Sequence, residues 1–233
     1  MKRSQHDSDL NIPSEERIDS FRQHIRQWFR EYGRHFPWRN KSATIYQRII
    51  AEILLQRTQA GTAARFLPRF LAEYPSWKRL DEATEEELME YLKPIGLWRQ
   101  RALALKKLAS EMEKRSGRFP SEREEIEALP GIGQYIANAV LLFKHGDRQP
   151  LLDVNMARLL ERYFGPRKLV DIRYDPYLQH LSRKVLQKGD PVELNWAILD
   201  HAALICRKNP RCLDCPLRQE CLYFNSVSKV KLI

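Results

Sequence analysis

The chain has 233 residues, of which 43% are hydrophobic, so it can bury a substantial core in one large domain or two small ones. Its formal net charge of +10 favours a polyanionic partner, nucleic acid ahead of an anionic membrane, although a solvated basic surface is the alternative. No apolar run approaches the ~20 residues of a membrane span, and residues 1–12 lack the apolar segment of a secretion signal. We therefore expect a cytoplasmic protein with no membrane partner.

Apolar residues recur at helical spacing along most of the chain, and no alternating run demands a strand, so the sequence predicts an all-α class. An apolar stripe from Ile18 to Phe29 indicates the first helix, with Ser14 as its cap. Further helices are predicted, in chain order, over residues 46–58, 86–91, 99–115, 134–143, 155–163, 176–186 and 191–206. Two capping boxes of the form Ser/Thr-x-x-Glu also predict helix starts; they are Thr84 with Glu87 and Ser121 with Glu124.

A glycine-containing turn, Leu129-Pro130-Gly131-Ile132-Gly133, separates the predicted helical segments 121–128 and 134–143. Gly131 and Gly133 allow the backbone to turn with positive φ, and they leave bare amides at the start of the second helix. Free amides and the helix dipole favour an anion there, so this turn could hold a DNA backbone phosphate. A simple corner between two helices is the alternative.

The segment 129–137, followed by Leu152-Asp153-Val154-Asn155-Met156-Ala157-Arg158, resembles the helix-hairpin-helix and following Asp of the endonuclease III and MutY superfamily of DNA glycosylases. The resemblance covers roughly residues 20–222. It implies a helix-hairpin-helix DNA glycosylase fold, in which two helical subdomains enclose a cleft and the C-terminal part carries an iron-sulfur cluster loop. The implied segments are a flexible 1–15, one subdomain from 16–43 and 147–222 with the cluster loop at 206–221, a second subdomain at 44–146 with the hairpin at 121–143, and a tail at 223–233.

Asp153 is the first catalytic candidate, because it matches the Asp that the superfamily places after the hairpin. Breaking an N-glycosidic bond develops positive charge on the sugar, which a nearby carboxylate stabilises, and the same anion can steer a water molecule. The alternative role of Asp153 is the N-cap of a helix that begins near Asn155.

Glu52 is the second catalytic candidate. The combination of Phe36-Pro37-Trp38-Arg39 with the segment 51–60 resembles MutY and the archaeal thymine/uracil mismatch glycosylases, and Glu52 matches their catalytic Glu. In an apolar pocket the pKa of Glu52 would be raised, so that it could protonate the departing base at neutral pH. A surface carboxylate or a partner for an arginine is the alternative.

Further matches imply contacts with DNA and with the extruded base. Gln56 lies one helical turn beyond Glu52, and with Arg57 it would fill the gap left in the base stack. Trp38 and Arg39 are similar to pocket residues of the same families; a core aromatic and a surface charge are the alternatives. The other implied DNA contacts are Gly131, Gly133, Gln134, Tyr135 and Asn155.

All four cysteines lie beyond residue 205, at Cys206, Cys212, Cys215 and Cys221. Such clustering favours metal ligation over disulfides in a cytoplasmic protein, and four thiolates suit zinc and a 4Fe-4S cluster alike. The order of the last three resembles the iron-sulfur loop of the glycosylases, which implies a 4Fe-4S cluster with zinc as the alternative. The spacing between the first two cysteines is one residue shorter than is usual in that family.

Tyr135 stands where bifunctional members of the superfamily carry a Lys. Because Tyr cannot form a Schiff base with the sugar, the resemblance implies a monofunctional base excision repair glycosylase that leaves an abasic site. We expect it to act as a monomer on double-stranded DNA at the nucleoid.

The chain stops shortly after Cys221, where full-length MutY proteins continue into a domain that reads 8-oxoguanine. This difference, together with the similarity of Ile95-Gly96-Leu97 with Gln100-Arg101-Ala102 to mismatch glycosylases, favours thymine or uracil opposite guanine as the substrate. An adenine glycosylase of MutY type without the extra domain is one alternative. A catalytically silent DNA-binding protein is the other.

Overall fold

The structure is a computed structural model, and it describes residues 10–230. Over these residues it contains α-helices and short 3-10 and π-helical turns without any strand, which confirms the all-α class. In this part of the chain, no helix is both long enough and apolar enough to cross a bilayer. The α-helices are, in order, α1 (Glu15–Tyr32), α2 (Ile45–Leu55), α3 (Ala60–Glu73), α4 (Trp77–Glu82), α5 (Glu85–Leu92), α6 (Trp98–Lys114), α7 (Arg123–Glu127), α8 (Gln134–Val140), α9 (Val154–Phe164), α10 (Pro176–Val185), α11 (Pro191–Leu204) and α12 (Leu222–Val230).

The chain divides into two compact units. The central unit is His35–Asp147 and holds α2 to α8; the split unit joins the chain up to Arg34 to the chain from Arg148 onward. Residues 35–43 belong to the central unit, whereas the sequence assigned them to the other subdomain. The segment that the sequence named a tail begins with α12, and the expected flexibility of residues 1–9 lies outside the described residues.

The central unit is built around α2, whose apolar side chains are almost all buried. Ile49, Ile50 and Leu54 are fully inaccessible to solvent, and α2 packs against α3 and α8. On the other side of the unit, α4 and α5 both pack on α6. Because burial of each such side chain contributes roughly 1.5–3 kcal/mol, α2 is held firmly enough to position a functional side chain.

The split unit has a core of its own, in which α1 and α9 both pack against α11. Phe21 of α1 lies between two aromatic residues of α9, with ring centroids 5.0 Å from Tyr163 and 5.1 Å from Phe164. This packing fixes α9 and therefore the residue that begins it, Asp153.

Helix starts follow local capping chemistry at two of the predicted positions. The Ser14 hydroxyl accepts the amide of Arg17 at the start of α1, and Thr84 with Glu87 forms the predicted capping box of α5. The predicted capping box of Ser121 and Glu124 is wrong, because it does not form. Extended backbone continues through Glu122, so α7 begins too late for the Ser121 side chain to cap it.

Three helices, α3, α4 and α12, were not predicted. The first contains Gly61 and Pro68, which are breaking signals in a sequence, yet its buried Phe66 and Phe70 hold it in the core. Tertiary burial therefore outweighs local propensity over this stretch.

Candidate active site

Glu52 lies near the middle of α2 and is 3% exposed, so it is a buried carboxyl and not a surface glutamate. Its Oε2 atom accepts a hydrogen bond of 3.0 Å from the hydroxyl of Tyr135. Tyr135 is the second residue of α8, and the packing of α8 on α2 brings together side chains 83 positions apart. A hydroxyl can donate to a carboxylate or accept from a carboxylic acid, so this contact accommodates either protonation state.

The hairpin before α8 needs glycine at one of its two glycine positions. Gly131 has φ +75°, and a Cβ atom there would lie 3.1 Å from the Cβ of Ala104, so both backbone and space require glycine. The expectation of positive φ is wrong for Gly133, whose φ is −97° and whose Cβ would meet no atom within 4 Å. Both glycines are exposed at the surface, directly before the half-buried Gln134.

The turn after α2 places Gln56 differently from the sequence prediction. The helix ends at Leu55, and Gln56 has ψ 113°, so it does not continue the helical face that carries Glu52. Arg57 follows with φ +55°, a left-handed conformation that is uncommon outside glycine. Both side chains are exposed, which is compatible with a role at a surface but comes from a turn and not from the helix.

Trp38 and Arg39 lie on a short 3-10 turn, Pro37–Arg39, that packs against α2 and α3. The Trp38 ring is buried and stacks on Phe36, with centroids 4.6 Å apart and planes 8° apart. The Arg39 guanidinium lies 4.9 Å from the Phe36 ring centroid. Trp38 is therefore a core aromatic, as the alternative interpretation had it, and Arg39 is held by the same aromatic pair.

In the split unit, the Asp153 carboxylate caps α9, as the alternative interpretation expected. Its Oδ1 accepts the backbone amides of Asn155, at 2.9 Å, and Met156, at 2.8 Å. Its Oδ2 accepts the side-chain amide of Asn155 at 2.6 Å. Both oxygens are therefore oriented by donors while the residue remains only half-buried, an arrangement suited to presenting a fixed negative charge.

Arg158 is a residue of this site that the sequence prediction missed. Its Nη2 donates to Asn155 Oδ1 at 3.1 Å and to the Ala202 carbonyl at 2.9 Å, and its Nε donates to the Cys206 carbonyl at 2.8 Å. A continuous set of hydrogen bonds therefore runs from Asp153 through Asn155 and Arg158 to the first cysteine. The i, i+3 spacing of Asn155 and Arg158 on one helix was the available signal.

The four cysteines are unpaired with one another and line one small cavity of the split unit. Apolar side chains, including Leu159, Ile205 and Leu217, complete much of the lining. Arg162 spans the loop, since its Nη1 lies 3.5 Å from Cys206 Sγ and 2.7 Å from the Arg207 carbonyl oxygen. These contacts hold the cysteine segment against α9.

The electrostatics of this cavity oppose bare thiolates. The pKa of Cys215 is raised to about 12, mainly by burial and to a smaller extent by the neighbouring thiols. The pKa values of Cys212 and Cys221 are also raised, in each case first by burial. Among the described residues, no three His, Cys, Asp or Glu side chains are arranged to hold a single metal ion.

Comparison with known proteins identifies a family of DNA repair proteins and relatives that are named DNA glycosylases. Residues 50–188 match the family described as HhH-GPD superfamily base excision DNA repair protein. A thymine-DNA glycosylase of Aeropyrum pernix is 38% identical over 216 residues, covering 90% of this chain and 96% of the relative. A thymine/uracil-DNA glycosylase of Pyrobaculum aerophilum is 36% identical over 230 residues, covering 96% of this chain and 99% of the relative.

Among solved structures, a thermostable thymine-DNA glycosylase superposes with a TM-score of 0.83 at 30% identity, covering 91% of this chain and 98% of that one. The family match, the sequence identity over nearly the full length and the similarity of fold all indicate the same family. This chain belongs to the HhH-GPD superfamily of base excision DNA repair proteins.

Proposed function

We propose that this protein is a monofunctional DNA glycosylase that removes thymine or uracil opposite guanine from double-stranded DNA. The observation that carries the proposal is the buried Glu52 carboxyl, held by a tyrosine hydroxyl at the place where a lyase would present an amine. Two relatives at 38% and 36% identity bear the names thymine-DNA glycosylase and thymine/uracil-DNA glycosylase, which supports the choice of base.

The chemistry assigns a different task to each carboxyl group. The bond from the sugar C1′ to the base nitrogen breaks with its electron pair going to the base, and Glu52 supplies a proton or hydrogen bond to that base. Asp153 stabilises the positive charge on the sugar and orients a water molecule, whose oxygen bonds to C1′ as its proton passes to the Asp153 carboxylate. The products are a free base and an intact strand with an abasic site, since Tyr135 cannot form a Schiff base.

The proposed DNA contacts come from exposed positions and from the half-buried Gln134. Gln56 and Arg57 would occupy the gap left by the extruded base. Gly131 and Gly133, with Gln134, would approach a backbone phosphate closely because no Cβ stands in front of the glycine amides. The net charge of +10 supports an association with the DNA backbone.

The proposal predicts the outcome of a substrate panel. Duplexes that carry T:G, U:G, A:G or A:8-oxoguanine pairs are incubated with the protein and analysed with and without hot alkali. We expect T:G and U:G strands to break only after alkali, because the enzyme leaves an intact abasic strand.

Three other outcomes of this substrate panel would contradict the proposal, each in a different way. Release of adenine alone would replace the proposal by an adenine glycosylase. Binding without release of any base would indicate a catalytically silent protein. Strand breakage without alkali in pure protein would contradict the monofunctional assignment.

We further propose that Cys206, Cys212, Cys215 and Cys221 bind a 4Fe-4S cluster. Four thiols on one cavity provide the donor set that such a cluster requires. When bound, the cluster would cross-link the loop 206–221, while the chain's own Arg158 and Arg162 hold that loop on α9.

This assignment predicts a brown protein with broad absorption at about 400 nm when it is purified without oxygen. Cys212→Ser should lose the colour, whereas Asp214→Asn, which changes a surface ion pair in the same loop, should keep it. A colourless protein that contains one zinc ion per chain would contradict the cluster.

A further inference from the structure

Two exposed turns of the central unit are joined by one buried arginine. Arg101, on α6, is 5% exposed. Its Nη2 donates to the Gln56 carbonyl at 2.6 Å and to Thr58 Oγ1 at 3.0 Å. Its Nη1 donates to the Gly96 carbonyl at 2.9 Å and to the Ile95 carbonyl at 3.2 Å. The two ends of the guanidinium thus hold one turn each, after α2 and before α6.

Each turn contains one non-glycine residue in a strained, left-handed backbone conformation. The described chain has four non-glycine residues with positive φ, and two of them, Arg57 at +55° and Leu97 at +50°, lie on these turns. Such conformations persist only where surrounding contacts enforce them, and they concentrate at functional sites. Here Arg101 supplies the enforcing contacts, and Thr58 Oγ1 adds a direct hydrogen bond of 3.3 Å to the Ile95 carbonyl.

Burying the charged Arg101 side chain carries a free-energy cost. All of its side-chain hydrogen bonds go to neutral oxygens, and no carboxylate among the described residues forms an ion pair with it. Burial lowers the pKa of Arg101, because removal from water disfavours the charged guanidinium. Burying this cation without a counterion is costly, and its four hydrogen bonds to the two turns offset that cost, so its charge is committed to holding the turns together.

The exposed side chains of the two turns indicate a role for this connection. Gln56 and Arg57 project from one turn, and Leu97, which is 42% exposed, projects from the other. We propose that Arg101 is a positioning residue for base extrusion, which locks the turns Gln56–Thr58 and Ile95–Leu97 into one rigid element that enters the DNA as a unit. The inference rests on the proposed function, since it assigns Arg101 to the extrusion step that precedes hydrolysis.

The test separates extrusion from chemistry with two substrates. One duplex carries uracil paired opposite guanine, and the other carries the same uracil in a one-nucleotide bulge, where little pairing has to be broken. Single-turnover rates of base release are measured for Arg101→Met, Arg101→Lys and the wild type. We expect Arg101→Met to lose at least about tenfold more rate on the paired substrate than on the bulged one.

The lysine variant keeps the charge but cannot reproduce the planar fork, so it should show an intermediate loss on the paired substrate. Thr58→Val removes one link between the turns and leaves the buried cation in place, which covers the case in which Arg101→Met fails to fold. Arg22→Lys is the control for loss of a buried guanidinium elsewhere, because Arg22 is equally buried and holds two backbone carbonyls of the split unit, although it is also paired with Glu15 and Asp19. It should not change the ratio of the two rates.

A reporter that does not depend on chemistry completes the design. A 2-aminopurine next to the U:G pair should brighten when the wild type extrudes the uracil, and should brighten less with Thr58→Val or Arg101→Lys at saturating protein. Equal losses on both substrates, or unchanged rates, would overturn the role of Arg101 alone. A wild type that releases uracil from neither substrate would overturn the proposed function together with it.

Discussion

Asp153→Asn should lower the single-turnover rate of base release by about 10²–10³-fold while DNA affinity is retained. The change removes the negative charge that stabilises the sugar cation, yet it preserves the shape of the side chain. Asparagine caps helices as well as aspartate does, so α9 should still begin at the same residue. The measurement is release of thymine from a T:G duplex with excess protein, alongside a binding titration and a thermal melt.

The chain offers a close control for this variant. Asp190 caps α11 with the same pattern, since its Oδ1 accepts the amides of Val192 and Glu193, but it has no proposed role in catalysis. Asp190→Asn should therefore keep the wild-type rate. If Asp153→Asn were as active as Asp190→Asn, the carboxylate at position 153 would be a cap and nothing more.

Glu52→Gln should slow release of uracil from a U:G duplex by about 10²-fold, because the amide cannot transfer a proton to the departing base. The variant keeps an acceptor for the Tyr135 hydroxyl, so the contact between α2 and α8 should survive. Tyr135→Phe is the matched comparison. It removes the same hydrogen bond but leaves the acid, and it should cost less rate than Glu52→Gln.

A better leaving group distinguishes proton donation from a structural effect. 5-Fluorouracil departs more readily as an anion than uracil does, so it needs less help from an acid. The loss caused by Glu52→Gln should shrink on a 5-fluorouracil:G duplex. An equal loss on both bases would show that Glu52 does not assist the leaving group.

Local patterns in the sequence predict much of this fold. The apolar stripe of α1, the Ser14 cap and the Thr84/Glu87 box depend on neighbours within four positions, and the structure confirms them. The prediction missed α3, where burial of Phe66 and Phe70 overrides the breaking signals. Burial of that kind depends on partners far away in the chain.

In the candidate site, too, local contacts could be predicted from the sequence, whereas contacts between distant residues could not. The capping role of Asp153 follows from its own segment, whereas the Glu52–Tyr135 contact joins residues 83 positions apart. The sequence placed Gln56 on a continuing helix, but the chain leaves the helix there, and Arg101 from 45 positions away holds the resulting turn. The pattern of residues within the segment 51–60 carries no information about an arginine at position 101.

The most direct test of the account is whether water or an amine of the protein attacks the sugar. A T:G duplex is treated with the protein, with and without borohydride, and the strands are analysed by mass spectrometry. We predict an unbroken strand that has lost thymine and carries an abasic site, and no protein trapped on DNA. A cleaved strand, or a covalent adduct with borohydride, would show that an amine of the protein and not water attacks the sugar.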